Sequence, residues 1–304
     1  MLRSDMERYI QLRQSAGFKL ANESLMLRSF IAAAERHGDQ HIRTDRVLIW
    51  AGQAPSSAQR YRRLNVVRHF AQALQAEDDR HQVPPRTAFG NARHRRPPPY
   101  IFSQDEVAKL IEAAGRLKPT GSIRPMMFAT LFGLLAATGL RISEALRLRL
   151  QDISADGLMI LETKFNKSRL VPLHDTAHAA LERYLEARAR TATSIDALFV
   201  GVNGKAPGYD GVKDVFDRLV TAMGLQQARN GGLPHIHDLR HTLAVRSLER
   251  FRGNRNAISR HMTALSTYLG HTNVTGTYWY LEATPVLLGQ IAEAAETLHR
   301  EQDL

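Results

Sequence analysis

A stretch rich in proline and arginine separates two long helical patterns in this chain of 304 residues. Residues 82–100 read QVPPRTAFGNARHRRPPPY, and their proline pair and proline triplet exclude a regular helix. A segment of this kind is typical of an extended linker between domains. We therefore predict a helical N-terminal domain at residues 1–78, a linker at 79–100 and a second domain at 101–304.

The first domain is predicted to be helical and basic. Leu27, Phe30, Ile31 and Ala34 follow the spacing of one apolar helix face. Residues 1–100 contain 17 Lys and Arg against 9 Asp and Glu, whereas the remaining residues contain 24 against 21. This concentration of positive charge favours a surface that clamps nucleic acid. The candidate DNA-binding residues are Arg60, Arg62, Arg63, Arg68, Arg93, Arg95 and Arg96.

The second domain is predicted to be mainly helical with a small β-sheet. Ser103 and Glu106 match a capping box, which predicts that a helix begins at about Gln104. An apolar helix is expected from Met126 to about Thr138, and Gly139 is its expected C-cap. The runs GLMILETK and RLVPL, joined by FNKS, are typical of a β-hairpin.

Five polar side chains form a set suited to phosphodiester chemistry: Arg141, His237, Arg240, His271 and Tyr280. Paired guanidiniums match the charge that develops on the oxygens of a phosphodiester during transfer. Imidazoles take or hold a proton near neutral pH, and a tyrosine hydroxyl can form a covalent link to phosphorus. The sequence thus predicts a phosphoryl-transfer site assembled from distant segments.

These segments resemble the boxes of the tyrosine recombinase family, of the phage-integrase, Xer and Cre type. The arginine box is ATGLRISEAL, followed by a hairpin lysine, HDLRH, LGH and a tyrosine nine residues after the last histidine. The resemblance covers roughly residues 101–285. It implies a site-specific recombinase or integrase of a mobile element that cleaves and rejoins DNA through a 3′-phosphotyrosyl intermediate.

That resemblance implies a role for each residue of the set. Tyr280 would attack the scissile phosphate, and Arg141 and Arg240 would hold its non-bridging oxygens. His237 would handle the tyrosine proton, while His271 would contact the phosphate. The resemblance also implies a proton donor for the leaving 5′ oxygen, and the matching residue is Lys164.

The lysine hairpin departs from the family pattern. The family usually carries glycine after the lysine, whereas this chain has Phe165. A bulkier residue could alter the tip of the hairpin, so Lys167 stays open as the alternative proton donor.

Two other readings of the chemistry are weighed against this one. His237 and His241 have the H-x-x-x-H spacing of a zinc site, but Asp238 stands where a metalloprotease needs glutamate. We expect no metal and no cofactor, and His241 is expected to pack beside His237 and Arg240. A type IB topoisomerase or a catalytically idle DNA-binding relative would carry similar boxes.

Double-stranded DNA is the expected partner. A last helix is expected to begin with Thr284 as its N-cap and Pro285 as its first residue, and it carries an apolar stripe of Leu288, Ile291, Ala292 and Ala295. This helix either covers the core of its own chain or, as the resemblance implies, docks on a neighbouring copy in a DNA-bound homo-tetramer. Partner recombinases are compatible with the resemblance.

No apolar run is long enough to cross a bilayer, and the chain lacks cysteine, so we expect a cytoplasmic, nucleoid-associated protein. We expect no arm-binding domain before residue 1, which favours a simple recombinase or transposon-type integrase.

Overall fold

The structure, a computed structural model, consists of two compact units, Met1–Arg96 and Pro97–Leu304. It describes residues 2–90, 99–161, 168–226, 232–250, 255–270, 280 and 289.

The described residues of the first unit, 2–90, form four helices: α1 (Leu2–Ser15), α2 (Ala21–Arg36), α3 (Thr44–Gly52) and α4 (Ser57–Gln75). The apolar face predicted on α2 is confirmed, because Leu27, Phe30, Ile31 and Ala34 are all buried. Trp50 of α3 meets Phe30 edge to face, with ring centroids 5.5 Å apart. This small helical core fixes the orientation of α4, which carries the four arginines predicted to bind DNA.

The second unit is mainly helical with one small sheet, as predicted. Its elements are α5 (Gln104–Gly115), α6 (Ile123–Thr138), α7 (Ile142–Ala145), β1 (Ile153–Ser154), β2 (Gly157–Ile160), β3 (Arg169–Val171), α8 (Asp175–Ala189), α9 (Tyr209–Ala222), α10 (Ile236–Arg250) and α11 (Arg255–Leu269). Helix α6 is apolar nearly all round and packs against α5, α8 and α10. It therefore lies at the centre of the unit.

The helix boundaries follow local capping chemistry. The predicted capping box is confirmed, since the Ser103 hydroxyl accepts from the Glu106 amide and the Glu106 carboxylate accepts from the Ser103 amide. Helix α6 begins at Ile123, three residues before the predicted Met126, because the Ser122 side chain caps its first turn. It ends as predicted at Gly139, whose φ of 62° lies in the left-handed region.

The sheet has three antiparallel strands in the order β1-β2-β3. Strands β2 and β3 are the two arms of the predicted hairpin, and Leu158 pairs with Val171. The short strand β1 was not predicted. The hairpin tip, residues 162–167, lies outside the described residues, and so does most of the predicted last helix.

Within the described part of the chain, no helix combines the length and the apolar character that crossing a membrane requires.

Candidate active site

Arg141 lies where the central helix gives way to a tight turn. The chain leaves α6 through Gly139, and Arg141 becomes the N-cap residue of α7. Its Nη1 donates to Glu144 Oε1 at 2.7 Å, and its backbone amide donates to Glu144 Oε2 at 3.0 Å. Its Nη2 donates to the Gly270 carbonyl at 3.1 Å, and the side chain is 30% exposed. The guanidinium is therefore oriented from both sides and still reaches the surface.

Arg240 of α10 is the buried counterpart of Arg141. The residue is 1% exposed. Its Nη1 donates to the Gly139 carbonyl at 2.7 Å and its Nη2 to the Leu269 carbonyl at 2.5 Å. Burial and the nearby charge of Arg141 lower the pKa of Arg240 to about 10, although Tyr280 opposes this shift. The group therefore remains a cation at neutral pH, and it ties the end of α6 to the end of α11.

A third arginine, Arg169 of β3, completes this cluster, and the sequence analysis did not single it out. Its Nη1 and Nη2 donate to the two oxygens of Glu144 at 3.3 and 2.8 Å. Burial alone would raise the pKa of Glu144, but hydrogen bonds from Arg169 and from the Arg141 amide outweigh it and leave the pKa lowered. Strand alternation offered a signal, because Arg169 shares a face with the buried Val171.

Tyr280 is 2% exposed and packs with apolar residues of α10 and α11. Its hydroxyl lies 3.0 Å from Nδ1 of His241, a residue expected only to pack beside its neighbours. The ring of His237 meets that of His241 edge to face, with centroids 4.6 Å apart. The imidazole of His241 thus contacts the predicted nucleophile, and the imidazole of His237 packs against that of His241.

Several predicted site residues lie outside the described part of the chain. They are Lys164, its alternative Lys167, His271, and the linker arginines Arg93, Arg95 and Arg96. Gly270, the residue directly before His271, is described, and its contact with Arg141 brings the LGH box to the arginine cluster.

The four predicted DNA-binding arginines of the first unit differ in their surroundings. Arg60 and Arg62 are exposed, although Arg60 Nε also donates to the Ala54 carbonyl at 2.9 Å. Arg63 is half-buried, lies over the Trp50 ring and donates to the Trp50 carbonyl at 3.2 Å. Arg68 is half-buried as well. The more accessible cations of this group are therefore Arg60 and Arg62.

The HDLRH segment carries the H-x-x-x-H spacing of a possible metal site. Asp238 is 4% exposed and accepts from the His235 amide at 2.7 Å, and burial raises its pKa. Among the residues that the structure describes, no group of three His, Cys, Asp or Glu side chains is placed to hold a metal ion.

Comparison with known proteins identifies the family. The sequence profile of the phage integrase family matches residues 101–285. A protein of Sinorhizobium fredii named as a candidate integrase/recombinase, y4rB, is 36% identical over 305 residues, covering 97% of this chain and 96% of the relative. Tyrosine recombinase XerD of Oceanobacillus iheyensis is 30% identical over 241 residues, which cover 78% of this chain and 75% of the relative.

Solved structures show the same fold. The Tn1549 transposon integrase, solved in complex with transposon right end DNA, matches with a TM-score of 0.67 and 16% identity over 99% of both chains. A lambda integrase dimer bound to a core site matches with a TM-score of 0.66 and 19% identity, covering 92% of this chain and 77% of that one. At these identities the likeness concerns the fold alone.

Fold and sequence together define an enzyme of the tyrosine recombinase class, which cleaves and rejoins DNA at specific sites. The chain belongs to the phage integrase family. The predicted fold class and the predicted recombinase or integrase activity are thereby confirmed.

Proposed function

We propose that this recombinase acts on double-stranded DNA of a mobile element through a 3′-phosphotyrosyl intermediate. In this assignment Tyr280 is the nucleophile, and Arg141 and Arg240 bind the scissile phosphate. The likeness to y4rB, which is named as a candidate integrase/recombinase, supports the proposal. The enzyme would then work in the cytoplasm, on the DNA of the nucleoid.

The observation that carries the proposal is the meeting of two guanidiniums at one place. Arg240 holds the carbonyls of Gly139 and Leu269, and Arg141 holds the carbonyl of the next residue, Gly270. Both cations are therefore anchored to the same two chain segments. Glu144 offsets one of the three positive charges of Arg141, Arg169 and Arg240, and the positive charge that remains favours a phosphate as a further partner.

The reaction follows from these positions. The Tyr280 oxygen forms a bond to phosphorus, the bond from phosphorus to the 5′ oxygen breaks, and the two arginines balance the added charge on the non-bridging oxygens. The phenolic proton passes to the imidazole pair, in which His241 lies 3.0 Å from the hydroxyl and His237 packs against His241. As the resemblance implies, Lys164 protonates the leaving oxygen and His271 assists at the phosphate.

Rejoining reverses the same steps. The free 5′ hydroxyl of a partner strand attacks the phosphotyrosyl link and releases Tyr280. Because the covalent link conserves the energy of the broken bond, the residues of this site suffice without a nucleotide cofactor.

The first unit is proposed to help the catalytic unit clamp DNA. Its excess of basic residues and the exposed Arg60 and Arg62 support this role. We propose residues 1–78 as the clamp, 79–100 as the linker and 101–304 as the catalytic domain. The division between the two compact units, at Arg96 and Pro97, falls within the proposed linker.

Covalent capture tests the proposed function. Wild-type protein is incubated, in the presence of a metal chelator, with nicked duplexes from the ends of its own element, so that the strand beyond the cleavage site is lost. We expect a protein–DNA complex that resists denaturing electrophoresis. Binding without capture on every end sequence would instead favour an idle DNA-binding relative. Relaxation of supercoiled DNA without exchange between two sites would favour a topoisomerase.

The homo-tetramer is proposed to form through the C-terminal segment. A groove of about 980 Å³, lined by residues of α5, α6, α8, α10 and α11, has a largely apolar wall and three arginines: Arg183, Arg246 and Arg250. Residues 281–304 combine the predicted apolar stripe with five Asp and Glu against one Arg. Apolar and charge complementarity therefore favour the C-terminal segment of a neighbouring copy as the occupant.

A charged residue in the groove tests this assembly. Met126 of the groove is 39% exposed, so Met126→Asp should fold, yet it places a carboxylate against an incoming apolar stripe. We expect normal binding of single sites and loss of the tetramer on paired sites, measured by light scattering. The matched control is Met159→Asp on β2, at 38% exposure and away from the groove. A lower unfolding midpoint for Met126→Asp with intact tetramers would place the segment on its own core instead.

A further inference from the structure

Arg169 occupies an unusual place for a strand arginine. Its side chain is 13% exposed, and it directs two nitrogens onto the two oxygens of Glu144, which is itself 8% exposed. Glu144 also accepts from the amide and from Nη1 of Arg141. One buried carboxylate thus serves two guanidiniums, one of which is the proposed phosphate ligand.

The same guanidinium packs against the segment that leads to His271. A Cβ atom at Gly270 would lie 2.8 Å from Nη1 of Arg169, and the φ of Gly270 is 67°. Glycine is therefore favoured there both by its left-handed backbone and by the close approach of the arginine. The carbonyl of this glycine is the one that accepts from Arg141.

We propose that Arg169 is a positioning residue that aligns Arg141 for the scissile phosphate and joins three segments of the site. It stands at the start of β3, the second arm of the hairpin whose sequence includes Lys164, and touches both the arginine box and the residue before His271. This inference rests on the proposed assignment of Arg141 to the phosphate.

The physical reason lies in how Glu144 is shared. With Arg169 in place, both carboxylate oxygens accept two hydrogen bonds each, so the carboxylate is held in one orientation and Arg141 contacts it through Nη1. Without Arg169, the buried carboxylate of Glu144 loses its bidentate hydrogen-bond partner. It would then turn toward Arg141 and compete with the phosphate for the guanidinium. A misalignment of about 1 Å at such a site is enough to cost on the order of 10²-fold in rate.

The test is single-turnover covalent capture by Arg169→Met, which keeps an unbranched apolar stem but removes the guanidinium and its charge. We expect the rate at saturating DNA to fall on the order of 10²-fold, while the DNA concentration at half-saturation changes less than about threefold. The matched control is Arg149→Met, which removes an exposed pair with Asp196 and should leave the rate unchanged. Arg169→Lys keeps the charge without the two-pronged contact and should also be slow.

Coupling to Glu144 separates positioning from general loss of structure. We expect Glu144→Gln to be slow by itself. In that background Arg169→Met should lower the rate per DNA-bound molecule by less than about a further threefold. Equal effects in both backgrounds, or an Arg169→Met rate within about threefold of wild type, would overturn the inference. If Arg169→Met does not fold, the rate of Arg169→Lys decides. Failure of wild type itself to be captured would count against the proposed function instead.

Discussion

Tyr280→Phe will bind DNA as wild type does and form no covalent complex with it. The substitution removes the only oxygen through which this residue can attack phosphorus. The ring is 2% exposed and packs between α10 and α11, so phenylalanine will fill the same space. The folded variant should lose the hydrogen bond with His241, which lowers the free energy of unfolding by about 1 kcal/mol. Capture on nicked DNA and the thermal unfolding midpoint, measured on the same sample, check both statements.

Tyr278→Phe is the matched control for this prediction. Tyr278 lies two residues earlier, in the segment TYWYL, and is the other candidate nucleophile of that segment. We expect its variant to be captured at the wild-type rate. The reverse pattern, capture of Tyr280→Phe and none of Tyr278→Phe, would move the nucleophile to Tyr278.

Local sequence signals were sufficient where a few neighbouring residues determine the structure. The capping box at Ser103 and the glycine that ends α6 are chemistry within one turn of helix, and both were predicted. The start of α6 was predicted three residues late, because the capping hydroxyl of Ser122 precedes the apolar run.

Partners that depend on packing could not be chosen from the sequence. His237 and His241 are four residues apart and share one face of α10, so spacing alone does not decide which of them meets the tyrosine hydroxyl. The structure places His241 there. Its approach to Tyr280 depends on how α10 packs within the apolar cluster around that ring.

The arginine cluster is a second case of long-range contact. Arg169 lies on the second arm of a hairpin, 25 residues from Glu144, and no local pattern pairs the two. An inward-facing charge on a strand suggests that a buried partner exists, but it does not name that partner. Similarly, Arg240 donates to a carbonyl 101 residues earlier, which only the folded chain brings close.

Arg240→Lys and Arg141→Lys should both cleave slowly, but only the first should also lose stability. Each change removes one planar guanidinium from the proposed phosphate site. We therefore expect the single-turnover capture rate of each variant to fall by about 10²- to 10³-fold. Arg240 is 1% exposed and satisfies the carbonyls of Gly139 and Leu269, which an ammonium group does not span in the same way. A buried carbonyl left without a donor costs about 1–3 kcal/mol in the free energy of unfolding.

Arg141 provides the contrast because its side chain is 30% exposed. A lysine there can still reach Glu144, so we expect a stability loss below about 1 kcal/mol. Denaturant unfolding and single-turnover capture, measured on both variants, separate the two roles. Equal losses of stability would contradict the assignment of Arg240 as the structural tie between α6 and α11. A loss of rate in both, with a loss of stability in Arg240→Lys alone, would mean that one guanidinium is fixed by the fold before DNA arrives while the other stays accessible to the incoming phosphate.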